Sequence, residues 1–382
     1  MTYQIAVGPR ERKSPFFERT VAEGVTHMTI YNQMYMPVSY GDTVAEYNRL
    51  LEGVAMWDVA AQRQVQIEGP DAEKLTRYLS ARDLKNCDVG RGRYVPICDH
   101  EGRLLNDPVI LPIQPAQFWL SIADSDMLLW VRAIANEGRF NVRISEPDVS
   151  PLAVQGPKAV DVVANMFGDW VRDMKFFSFK KTELEGIPVV VARSGWSKQG
   201  GFELYLCDGT RGGALWDIVR EAGRPFDIGP GAPNYIERLE SGLLSFGADT
   251  HPDSSPYEVG LGRFVDLDRD DNFIGREALA HIAEKGPTRR LVGIIFNGNP
   301  VGFNEHPWTA RVDGYIAGTV RSVCHSPRRR SNIGLALLET PCSEIGTKLE
   351  FKGGGLSYKG EVVAEPLVEP GTPLPNMAKS SS

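Results

Sequence analysis

A series of short strand-like runs, too irregularly spaced to alternate one for one with helices, constrains the fold most. RQVQIEG, NDPVILPI, FWLSIA, FNVRISE, IPVVVAR, GGFELYL, RRLVGIIF, YIAGTVRS and IGLALL are rich in β-branched residues or alternate with period two. Helical stretches interrupt them. In PDAEKLTRYLSARDL, Leu75, Tyr78 and Leu79 share a helical face, and in PNYIERLESGLLSF, Ile236, Leu239 and Leu243 do so. A doubly wound parallel sheet needs regular strand–helix alternation, so an α+β fold fits better.

A chain of 382 residues is too long for one core, and two or three modules are expected. EKGPTRRL around Pro287 combines a helix stop, Gly-Pro punctuation and charge ahead of an almost wholly strand-like section. The expected division is 1–287 as a catalytic region of two interleaved α+β modules, 288–366 as a small β module, and 367–382 as a mobile tail rich in Pro and Ser. A break near VSPLAVQGP separates the two halves of the first region.

Composition narrows the function. A net charge of -7 and a pI near 5.5 argue against nucleic acid as a partner, and no run approaches the roughly 20 apolar residues that span a bilayer. MTYQIAVGPRERKSPFF lacks the apolar stretch of a secretory signal, which makes a cytoplasmic location the expectation. The 5 cysteines form no CxxC pair, and the 6 histidines show neither HExxH nor HxH spacing. Free structural thiols and no bound metal are expected. GxSxG, GxxxxGK[ST] and GxGxxG are all absent, which disfavours hydrolase-elbow, nucleotide and dinucleotide chemistry.

Three segments carry candidate chemistry. In GRLLNDPVIL, Asp107 sits within an apolar strand-like run. A carboxylate there is paired, exposed at a strand end, or kept for a ligand. In RSGWSKQGGFELY, two glycines precede Glu203, which suits either a roomy hairpin or close backbone approach to a flat ligand. In YIERLESGLLSFGADT, Arg238 and Glu240 form an internal ion pair, face a site, or make a solvated helix face.

Taken in order, MWDVAAQRQVQIEGPDA, GRYVPICDHEGRLLNDPV, RSGWSKQGGFE, ERLESGLLSFGADT, SPYEVGLGRFV, NFIGREAL and TVRSVCHSP resemble the glycine-cleavage T-protein family of folate-dependent aminomethyltransferases. WDVAAQRQVQIEGPDA, LLNDPVI, WLSIADSD, EPDVSPLAVQGPKA, MKFF, ARSGWSKQGGFE and IERLESGLLSFG resemble in particular its dimethylsulfoniopropionate demethylases. The resemblance implies a three-module ring with a small C-terminal β-barrel, binding tetrahydrofolate in a central channel. It implies that Asp107 is the catalytic aspartate beside the folate nitrogens and that Glu203 reads the pterin edge. Tyr94, Arg238 and Glu240 match positions that line or brace the channel, and Tyr31, Gln33, Ser121, Trp196 and Tyr205 match the substrate region.

The implied chemistry is methyl transfer from a small charged substrate to folate, without metal or covalent intermediate. A sulfonium methyl is already activated, so alignment supplies most of the rate, and a carboxylate at Asp107 stabilises the developing charge and accepts a proton. Aromatic faces at Tyr31, Trp196 and Tyr205 are expected to hold a cationic centre. Gln33 stands where the demethylases carry His, and Trp196 where their turn carries Tyr. A sister enzyme acting on an amino acid or an N-methylated or hydroxymethyl substrate therefore stays open, as does a non-catalytic folate binder. Glycine cleavage itself fits less well, since AAQ at 60–62 departs from the segment that follows WDV there. A homodimer is left open as well.

Overall fold

Both faces of strand Ser150–Gln155 are covered, and every one of its residues is buried. A computed structural model describes residues 6–369 and 371–374. Residues 370 and 375–382 of the expected tail lie outside the described residues. The strand belongs to a six-stranded sheet ordered Phe179–Leu184, Ile187–Ala192, Gly201–Leu206, Ser150–Gln155, Ala55–Asp58 and Gly229–Gly231. Only the last pair is parallel.

One face of this sheet sets Leu152, Val154, Val191, Leu204 and Leu206 against Val162, Val163, Leu215 and Trp216 of helices Ala159–Phe167 and Gly212–Gly223. Its other face sets Val190, Ala192 and Tyr205 against Leu111, Ile113 and Trp119. The last three come from a five-stranded antiparallel sheet ordered Arg143–Ser145, Gln64–Glu68, Gln117–Ser121, Val109–Gln114 and Arg93–Tyr94. A strand covered on both faces loses the polar half of its alternation, and so IPVVVAR reads as a continuous apolar run.

The C-terminal strands close into a barrel in the order Arg289–Phe296, Ser331–Glu339, Tyr315–Ser326, Trp308–Val312, Lys348–Gly353 and Leu356–Val363. Along Ser331–Glu339, Ala336 and Leu338 point into the barrel core with Phe296, Phe351 and Tyr358. Ile333 and Leu335, of opposite parity, pack with Leu239 of helix Tyr235–Glu240. That helix is shorter than its apolar pattern predicts, and Leu243 lies beyond it. Gly242 adopts φ +65°, and the Leu243 N–H turns back to the Arg238 carbonyl at 2.8 Å, a helix-ending bond that only a left-handed residue allows cheaply.

The fold is thus α+β with a small C-terminal β-barrel. The described residues fall into two units, one made of residues up to Glu73, Asn86–Tyr94 and Pro108–Asn234, the other of Lys74–Lys85, Val95–Asp107 and residues from Tyr235 onward. Among the described residues no helix is long and apolar enough to cross a membrane.

Candidate functional site

Strand parity places Glu203. Phe202, Leu204 and Leu206 point to the helices, so Glu203 and Tyr205 point the other way, toward the five-stranded sheet. In the ladder Glu203 lies between Ala153 and Ala192, whose small side chains leave room beside the carboxylate. Glu203 is 6% exposed, and burial pushes its carboxyl up, opposed by hydrogen bonds from Ser194 and Tyr205. Ser194 Oγ donates to Oε2, and Tyr205 Oη donates to the same oxygen at 3.2 Å. Tyr205 is also hydrogen-bonded to Ser121, and Ser121 Oγ accepts from Gln64 Nε2 at 3.2 Å. Three of the candidate residues, Glu203, Tyr205 and Ser121, are therefore one buried cluster.

Tyr205 does not offer the aromatic face expected of it. Its ring is 1% exposed and lies in the core beside Trp119, with centroids 6.4 Å apart. Its hydroxyl is what the cluster uses.

Trp196 is half-buried in the loop 193–200 that joins the strands Ile187–Ala192 and Gly201–Leu206. The group that comes close to the glycines of this loop is the Gln155 side chain. A Cβ on Gly195 or Gly201 would overlap its amide, and both glycines have positive φ. Gln155 Nε2 donates to the carbonyls of Ser194 at 3.1 Å and Phe202 at 3.3 Å, while its Oε1 accepts from Ser197 Oγ at 2.8 Å. One buried amide thus fixes the loop that carries Ser194 and Trp196.

Tyr31 and Gln33 flank Asn32 at the tip of the hairpin His27–Tyr31 and Met34–Ser39. Asn32 and Gln33 both have positive φ, the geometry of a tight two-residue turn whose twist matches its strands. The tip is held by the Asn32 side chain, which donates to the carbonyls of Ala61 at 3.0 Å and Ala123 at 3.2 Å, while the Asn32 N–H donates to Asp124 at 2.8 Å. Tyr31 packs against the core. Gln33 lines a cleft of about 240 Å³ with Arg10, Arg63, Gln64, Ser125 and Glu146. Glu146 is paired with Arg63 and with Arg12, the latter at 2.9 Å, and the two guanidiniums draw its pKa down against its own desolvation. Gln64 is the residue shared by this cleft and the Glu203 cluster.

Tyr94 ends the strand Arg93–Tyr94, opposite Val109. Asp107 is not inside a strand, as its apolar setting suggests. It is half-buried in the gap between Leu104–Asn106, which pairs with Ile97–Cys98, and Val109–Gln114 in the five-stranded sheet. Pro108 has no N–H for a ladder and holds the residue before it extended, so the run breaks there. At Asp107–Pro108 the chain passes from one unit to the other, as it does after Tyr94.

Arg238 and Glu240 are fully buried. Arg238 donates to Asp249 at 2.8 Å and to Ser322 at 2.8 Å, and its guanidinium lies 4.3 Å from the Tyr235 ring centroid. Glu240 accepts from Ser326 at 2.5 Å and Arg328 Nε at 2.7 Å. These bonds brace helix Tyr235–Glu240 against the barrel.

Residues 16–269 match the GCVT N-terminal domain, and residues 289–369 match the glycine cleavage T-protein C-terminal barrel domain. The chain belongs to the glycine-cleavage T-protein family. Its fold is shared by the crystal structure of glycine cleavage system aminomethyltransferase T from Bartonella henselae, with a TM-score of 0.83 over 94% of this chain and 98% of that one at 20% identity. A dimethylsulfoniopropionate demethylase from Ruegeria pomeroyi is 42% identical over 90% of this chain and 93% of its own. An aminomethyltransferase from Symbiobacterium thermophilum is 30% identical over 93% of this chain and 96% of its own. With T-protein membership comes the reaction class, tetrahydrofolate-dependent one-carbon transfer.

Several residues on which this T-protein's site depends carried no signal that sequence reasoning used. Asn32, Gln64 and Gln155 are amides with no motif around them, and their importance lies in bonds to residues distant in sequence. Ser194 lay inside the quoted turn but became a partner of Glu203 only through the hairpin.

Proposed function

We propose that the chain demethylates dimethylsulfoniopropionate with tetrahydrofolate as methyl acceptor. The observation that carries this reading is the 42% identity to the Ruegeria pomeroyi demethylase over nine-tenths of the chain, well above the 26–30% seen with aminomethyltransferases. The residues fit such a ligand. Both protein donors to Glu203 fall on Oε2, which leaves Oε1 to accept from the N–H groups of a pterin edge, beside two alanines.

Tetrahydrofolate, when bound, supplies the nucleophilic nitrogen. Asp107 supplies a negative charge and a proton-accepting oxygen at the reacting centre, and Tyr94 lines the cofactor's position. Arg238 and Glu240 serve by bracing. Ser121 and the Tyr205 hydroxyl bind the substrate's polar groups. Tyr31 and Trp196 offer half-buried rings to its cationic centre, a contact worth about 0.5 to 2 kcal/mol each.

A second reading, a sister activity on an amino acid or an N-methylated or hydroxymethyl substrate, draws support from Gln33, which lies in a cleft beside Arg10 and Arg63. Incubation with tetrahydrofolate and a panel of sulfonium, betaine and amino-acid substrates, followed by mass identification of the folate product, separates the two. Methyl-folate from the sulfonium supports the first reading. Methylene-folate, or folate-stimulated loss of an amino acid without it, overturns the first in favour of the second.

A further inference from the structure

We propose that Gln64 is a positioning residue for substrate, turning the Ser121 hydroxyl proton away from itself and toward Tyr205. The inference rests on the reading that Ser121 and Tyr205 face the substrate. Gln64 is 1% exposed and stands directly opposite Ser121 in the ladder of the five-stranded sheet. Its Nε2 donates to the Gln62 carbonyl at 2.7 Å and to Ser121 Oγ at 3.2 Å. The Gln62 carbonyl can only accept. Turning the amide over would set two acceptors against each other, so the nitrogen is fixed on this side.

Ser121 therefore receives from Gln64, and its single proton has to go elsewhere. The Tyr205 oxygen takes it, and Tyr205 in turn donates to Glu203 Oε2 at 3.2 Å. Along Gln64, Ser121, Tyr205 and Glu203 the donors all run one way, and bonds aligned like this reinforce one another in a buried setting. An apolar side chain at position 64 would fill the same space but leave the Ser121 hydroxyl free to rotate. The direction of the chain thus begins at a residue that need not touch substrate.

Gln64→Glu tests this. The new carboxylate accepts the Ser121 proton when ionised. When protonated, its O–H donates to Ser121 as the amide does. The probe is the Cζ signal of Tyr205 in protein carrying ¹³C on tyrosine Cζ, assigned through Tyr205→Phe, together with KM for dimethylsulfoniopropionate. In Gln64→Glu the Tyr205 signal titrates between about pH 5 and 9, the range of buried carboxylates, while the parent protein shows no such step. KM is about 10-fold above the parent value at the alkaline end and returns to within about 2-fold at the acid end, with kcat little changed. Adding Ser121→Ala removes the pH dependence of both.

A Tyr205 signal that stays at the parent position at every pH would overturn the proposal. A signal that titrates while KM does not would overturn the positioning role and place the failure in the reading of Ser121 and Tyr205 as substrate-facing. Should Gln64→Glu not fold, Gln64→Asn, too short to reach Ser121, carries the test. It shifts the Tyr205 signal and raises KM at all pH values, and Ser121→Ala adds nothing further. Additive effects would overturn the proposal.

Discussion

Arg238 and Asp249 form an ion pair at 2.8 Å in which neither side chain has any exposure to solvent. Asp249 also accepts from Ser322 Oγ at 2.5 Å and from the Ser245 N–H at 2.7 Å, so the carboxylate is held from three sides. Removing one member of such a pair strands the other charge in a medium that solvates it poorly. Asp249→Ala should lose about 3–5 kcal/mol of stability. Urea unfolding is the measurement, and Arg238→Met combined with Asp249→Leu should recover most of the loss. An unchanged midpoint in Asp249→Ala would show that the pair contributes nothing net.

Gln155 supports the loop 193–200 through three side-chain bonds. Gln155→Ala leaves two carbonyls without their donor and should cost about 1–3 kcal/mol. The loop's amides should exchange faster, with the barrel amides unaffected. Gly195→Ala should be at least as damaging, because its Cβ would overlap the Gln155 amide at φ +154°. Uniform exchange across the whole chain in Gln155→Ala would argue against a local role.

Asp58 is 2% exposed and hydrogen-bonded by Ser14 Oγ at 2.5 Å and by the Ala60 N–H at 3.1 Å. Burial outweighs both bonds and pushes its carboxyl up to about 6. A raised pKa means that the folded state holds the proton more tightly than the unfolded chain does. The stability this group contributes is full below the unfolded value of about 3.9, and it is lost as pH rises through about 6. Relative to Asp58→Asn, the parent protein should gain on the order of 3 kcal/mol between pH 7 and pH 4. Parallel stability curves for the two proteins would contradict this.

Asp107→Asn preserves the shape of the side chain but removes its charge and proton-accepting oxygen. Folate binding should survive while kcat falls by about 10²–10⁴, the usual contribution of a positioned acid or base. Fluorescence titration with the folate and single-turnover assays separate the two effects. Normal turnover in this variant would remove Asp107 from the chemistry.

The mixed fold class was legible because burial on one or two faces writes itself into local sequence. RQVQIEG and FWLSIA became paired strands, and IGLALL became a barrel strand covered on both sides. The run through Asp107 misled because LLN and VILPI are each strand-like. Nothing in their composition shows that they join different sheets. The helical pattern of 236–243 misled similarly, since the apolar residue Leu243 continues the periodicity past a glycine that has already ended the helix.

The sequence by itself determined the residue types available, the strand parity that sends Glu203 and Tyr205 to the same face, and the family whose motifs the chain repeats in order. Those are properties of neighbours in the chain, and periodicity records them. Only the tertiary structure decided that Gln64 meets Ser121, that Gln155 fills the space under two distant glycines, and that the Tyr205 ring is core while its hydroxyl belongs to the site. The physical reason is that a buried polar group must find its partners in space. Those partners lie from 39 to 57 residues away along the chain, where no local pattern can register them.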